Sequence, residues 1–139
     1  MKIIRYLIAT IIAAGIIAFG FIYFIGSGID KKTIYTEKDL LQFYSLTDKE
    51  IKHAPKISHS YYFVYQPGDG YAPSNSVIFN HTTDAAPLRA YLQGNGYTLQ
   101  PGKFGDSEVW KQKSQPQSAT FYLWINQPAQ QVTLSKEVN

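Results

Sequence analysis

The sequence predicts an α+β protein: one N-terminal transmembrane helix, then a small antiparallel sheet domain in the order ββαββββ with one main packed helix. Three observations carry this. Residues 6–25 are an apolar run with no charge and no proline. Six later stretches are rich in aromatic or β-branched residues and are bounded by turn signals. One stretch between the second and third of them repeats apolar residues at helical spacing.

The apolar run reads YLIATIIAAGIIAFGFIYFI. Its twenty residues, at about 1.5 Å each, span about 30 Å, the thickness of a bilayer's hydrocarbon core. No face of it is polar, and a lone apolar segment in lipid must be helical to satisfy its own backbone. A cleaved signal peptide is the competing reading. Its apolar region covers roughly 7–15 residues, and the cleavable Gly26-Ser27-Gly28 follows a longer run. An uncleaved anchor is therefore expected. Lys2 and Arg5 lie directly beside the run, and long domains cross membranes largely regardless of charge. The expected layout is a cytoplasmic tail at 1–5, a transmembrane helix at 6–25, a connector at 26–35 and an extracytoplasmic globular domain at 36–139. That places the protein in the inner (cytoplasmic) membrane, with its domain in the periplasm or outside the cell.

Within the anchor, Thr10, Ala14 and Ala18 fall four apart, a spacing that lets two helices approach closely and would permit a homo-oligomer. Alanine is also common in spanning helices generally. Phe19, Phe21, Tyr23 and Phe24 gather at the distal end, where rings settle at headgroup level.

After the connector, Thr36 with Asp39 three residues on marks the start of a short helix at 37–45. Thr47-Asp48-Lys49-Glu50 is a second capping box, and its turn of helix ends before Pro55. SYYFVYQ, residues 60–66, reads as a strand with apolar or aromatic residues on both faces, hence central. GDGYAPSN is a loop, and SVIFN at 76–80 pairs back as a hairpin. Thr83 or Asp84 caps the main helix, with Pro87 in its first turn, Leu88, Tyr91 and Leu92 on one face, and Gly94 as the left-handed stop. Strands follow at 97–100, 108–113, 119–126 and around Val132 and Leu134. Their short connections require antiparallel neighbours.

Composition excludes several function classes. The chain has no cysteine, which removes disulfides, thiolate metal sites and thiol nucleophiles. Of thirteen Lys and Arg, Lys2 and Arg5 precede the apolar run, leaving eleven against ten Asp and Glu. That balance is no footprint for nucleic acid. His53, His59 and His81 lack metal-ligand spacing, so no metal or other cofactor is expected. Asp69 and Asp106 sit in glycine turns, where aspartate bonds its own main chain. There is no nucleophile elbow. Asn80-His81-Thr82 is a formal glycosylation sequon with no other sign of a eukaryotic secretory pathway. Lys49, Lys52 and Lys56 form a basic cluster with His53, read as a solvated helix face or as a contact for anionic headgroups.

The aromatic strands are the remaining feature. If Tyr62, Trp110, Tyr122 and Trp124 share a face that no helix covers, they form a patch of the residue types that anchor protein interfaces. If the N-terminal helices cover that face, the rings are core. In layout alone, the chain is similar to small bacterial envelope proteins, including immunity proteins that neutralise toxins. The resemblance implies a membrane-anchored, non-enzymatic domain that binds another envelope protein. Two alternatives stand beside it. One is a membrane-tethered hydrolase of cell-wall or lipid material, with His81, Asp69 and Asp106 as its candidate groups. The other is an accessory subunit of a membrane complex assembled through its helix.

Overall fold

The computed structural model describes residues 1–29, 32–68, 72–114 and 119–138. The chain forms two compact units, Met1–Lys31 and Lys32–Asn139. The first is one helix, α1 (Lys2–Ile29). It takes in most of the expected tail and the first part of the expected connector. Over Lys2–Tyr23 it is long and apolar enough to cross a membrane, and its side chains through Tyr23 are exposed. Thr10 donates its hydroxyl proton to the Tyr6 carbonyl at 2.8 Å, so the helix satisfies its own polar group.

The second unit is α+β. In chain order it runs β1 (Thr33–Tyr35), α2 (Leu40–Leu46), α3 (Lys49–Lys52), β2 (Tyr61–Gln66), β3 (Ser74–Asn80), α4 (Ala86–Gly94), β4 (Tyr97–Phe104), β5 (Ser107–Gln112), β6 (Ala119–Asn126) and β7 (Gln131–Val138). All seven strands form one antiparallel sheet ordered β1-β2-β3-β7-β6-β5-β4. The expected hairpin is β2–β3, and the run from β4 to β7 is a meander. β1 was not expected. It falls where glycine, serine and charge suggested a connector, because Ile34 and Tyr35 pair with Val64 and Phe63 at the sheet edge.

Several local expectations change for identifiable reasons. α2 begins at Leu40, because the Asp39 carboxylate folds back to take the Thr36 N–H at 2.9 Å. α3 is capped by Asp48, which accepts from Glu50 N at 2.9 Å, while the Thr47 hydroxyl meets the Tyr35 hydroxyl instead. Gly94 is the last residue of α4. The left-handed residue is Gly96, at φ 86°. β4 continues through Pro101, because it is an edge strand and its register shifts between Leu99 and Lys103.

All three helices lie on one side of the sheet. Their buried residues Phe43, Ile51, Leu88 and Leu92 join Phe63, Val77, Phe79, Phe121, Leu123 and Leu134 from the strands in a single cluster. Strand alternation directs those sheet residues to the helix side. The short helices therefore share the face of α4, and among the described residues of this unit no helix lies on the opposite one.

Candidate functional site

The open face is built by register. Tyr62 pairs with Ile78, Ile78 with Thr133, and Thr133 with Trp124, so the four form a row across β2, β3, β7 and β6. The adjacent row runs Ile34, Val64, Ser76, Ser135, Tyr122 and Val109 across six strands. At about 4.8 Å per strand, Tyr62 and Trp124 stand about 14 Å apart. Ser76 and Ser135 satisfy each other in the middle, with their hydroxyls 2.7 Å apart. The Phe104 ring lies 5.5 Å from that of Tyr122 and extends the patch toward the β4 edge. Trp124 is 39% exposed, Ile34 65% and Phe104 72%.

Three of the four expected interface aromatics, Tyr62, Tyr122 and Trp124, therefore share the open face. Trp110 does not. It pairs with Phe121 on the helix side and is 1% exposed. The reason is parity: Trp110 and Val109 are successive residues on a strand, and Val109 took the open side opposite Tyr122. The sequence reading sets Val64 on the face of Tyr62 but leaves Ile34, Ile78 and Phe104 out of the patch. For Ile78 the signal was present, since it alternates with core residues on its own strand, and it is itself only 8% exposed. Ile34 and Phe104 lay in segments read as connector and turn.

Tyr122 carries a perturbed group on this face. Burial raises its phenol pKa first, and the charge of Glu137 and a hydrogen bond to it raise it further. The described residues of the face include the charges of Lys111 and Glu137. A groove beside the face is lined by Gln100, Lys103, Phe104, Val109, Lys111 and Tyr122.

A second polar constellation lies between α3 and the sheet. Lys136 on β7 contacts Asp48 at 3.0 Å and Glu50 at 2.9 Å. Tyr97 donates to the Glu50 carboxylate at 2.9 Å, and Tyr91 to the Glu50 carbonyl at 2.6 Å. Asn75 accepts from Asp48 N at 2.7 Å and donates to the Tyr35 hydroxyl at 3.1 Å. Burial opposes the Lys136 charge, but hydrogen bonds and attraction from Glu50 and Asp48 outweigh it, and its pKa rises. Among the described residues, no buried side-chain nitrogen or oxygen lacks a partner. The constellation is satisfied from within and fastens helices to sheet. Its members are too far apart in sequence for any motif to reveal them.

Of the candidate hydrolytic groups, His81 and Asp106 do not converge. His81 follows β3 with φ 59°, and Asp106 lies in the β4–β5 turn. They occupy the same end of the sheet, but β5, at whose near end Asp106 lies, is three strand spacings from β3, roughly 14 Å at about 4.8 Å per strand. Asp69 lies outside the described residues. Among the described residues, no three His, Asp or Glu side chains gather as a metal site would require. Thr10, Ala14 and Ala18 are all exposed along α1.

Set against family models, curated proteins and solved structures, the chain matches none.

Proposed function

We propose that this protein is a single-pass membrane protein whose small extracytoplasmic domain binds another envelope protein without catalysing a reaction. α1 serves as the anchor, with Lys2 and Arg5 on the cytoplasmic side. The partner is held on the open face through Tyr62, Tyr122 and Trp124. One observation carries the reading: among the described residues no helix of the domain lies on this face, and Ile34, Tyr62, Val64, Tyr122, Trp124 and Phe104 stand on it among its serines and threonines. Tyr and Trp are also the side chains that concentrate binding energy at interfaces.

The test is site-specific photocrosslinking in intact cells. A photoreactive phenylalanine at position 124 is expected to trap a discrete protein partner, and the same group at Gln93 on α4 is not. Tyr62→Ala should reduce the yield from position 124 about tenfold, an ordinary hot-spot loss. Equal yields from 124 and 93, or none from 124, would overturn the reading.

A further inference from the structure

The helix side of the domain has an anomaly of its own. α2 is apolar on two faces. Phe43 and Leu46 point into the core. Leu40, Leu41 and Tyr44 point away from it and are 61%, 46% and 71% exposed. At 100° per residue these three fall within about 100° of arc, a continuous stripe. A solvated helix would carry polar residues there. Basic groups accompany the stripe. The Lys52 ammonium lies 5.1 Å from the Tyr44 ring centroid. Lys38, Lys49 and Lys56 are exposed nearby in the chain. The neighbouring acids are largely engaged: Asp48 and Glu50 face Lys136, Asp39 holds the Thr36 N–H, and Glu37 accepts from the Tyr61 hydroxyl. Lys136 offsets one of the two charges of Asp48 and Glu50; with it counted, the lysines of residues 37–56 exceed the acids by one, and Lys52 is the one set against the stripe.

We infer that the outer face of α2, with Lys52 and the lysines flanking it, rests on an anionic lipid surface. Leucine and tyrosine beside lysine is the composition of elements that lie in the headgroup layer, where the apolar side chains enter and the ammonium groups meet phosphate. A protein partner fits less well, because lysine is depleted from the cores of protein interfaces, whereas Lys52 stands against the stripe itself. The inference rests on α1 lying in a membrane. It is independent of what binds the open sheet face, which is on the other side of the sheet.

The chain's lack of cysteine makes the test direct. Ser45, exposed and next to Tyr44, is replaced by cysteine and labelled with a fluorophore. The full-length protein is placed in nanodiscs containing nitroxide-labelled lipid. The discs are either phosphatidylcholine alone or phosphatidylcholine with phosphatidylglycerol. Quenching of the S45C label is expected in the anionic discs, weak in the neutral ones and reduced by added salt. A label at Q127C, in the β6–β7 turn, is the reference. Lys49→Gln and Lys52→Gln should each weaken the contact, by about fivefold at low salt. L41S/Y44S should abolish it while leaving the thermal melt cooperative. Equal quenching at S45C and Q127C, or at S45C in both kinds of disc, would sink the inference and leave the stripe to a protein or to solvent. Recovery of the protein in the discs reports the anchor separately. Tyr62→Ala should leave the S45C signal unchanged, so failure of this inference and failure of the open-face reading are distinguishable.

Discussion

The ammonium of Lys136 lies 3.0 Å from the Asp48 carboxylate across 88 residues of chain, tying the last strand of the sheet to the cap of α3. The same lysine reaches Glu50 at 2.9 Å. Removing it leaves two partly buried carboxylates with no counter-charge. Lys136→Met is therefore expected to destabilise the domain by about 3 kcal/mol, the order seen when one partner of a buried pair is deleted. The melting midpoint should fall by roughly 4–8 °C per kcal/mol. Adding D48N and E50Q to K136M should recover part of the loss, because the charges that lacked a partner are gone.

High pH should attack the same side of the domain. Burial, then the hydrogen bond to Glu37, pushes the Tyr61 phenol up to about 12. Tyr97 is raised further, by burial and then by its bond to Glu50. A group whose pKa is raised by folding contributes full stability below its unfolded value and loses it as pH rises through the folded one. Stability should therefore be flat to about pH 10, the ordinary tyrosine value, and decline above it. Tyr61→Phe should make the decline shallower. A melt series from neutral to alkaline pH measures both.

The two tryptophans should separate stability from binding. Trp110 is enclosed by the core, and Trp110→Ala is expected to cost about 3–5 kcal/mol. Trp124 stands on the open face, and Trp124→Ala should change stability by no more than about 1 kcal/mol while removing the partner trapped by a photoreactive phenylalanine placed at position 62. Denaturant melts paired with the crosslinking assay check this. A large stability loss in W124A would mean the open face is covered.

The β6–β7 turn holds a strained residue. Gln130 has φ 53°, a conformation that favours glycine. Gln130→Gly is expected to stabilise the domain by up to about 1 kcal/mol, with the relief of strain exceeding the entropy glycine adds to the unfolded chain. Chemical denaturation reads the change.

How much was legible beforehand follows from where each signal lives. The apolar run, the aromatic strands and the Leu88–Leu92 face are local patterns, and each became an element. Strand alternation placed Tyr122 and Trp124 correctly. It could not say that Val109 rather than Trp110 would face outward, because both are apolar and only the register with β6 decides. β1 was hidden because three residues carry no periodicity. The Lys136 clamp was hidden because it joins α3 to β7, and no local pattern connects charges that distant. Which face the short helices would cover was equally a tertiary fact, and it decides whether a binding surface exists.

The strand order has a consequence for how the protein is made. β7, which follows the other six described strands, is not at an edge; it sits between β3 and β6 and joins the two halves of the sheet. A ribosome delivers β1–β2–β3 and then β4–β5–β6 as separate pieces, each with an unfilled margin, before residues 131–138 emerge to unite them. The nascent chain cannot close its fold in instalments. It must be kept from aggregating until β7 has emerged, and a frameshift or stop before residue 131 would release two half-sheets that nothing joins.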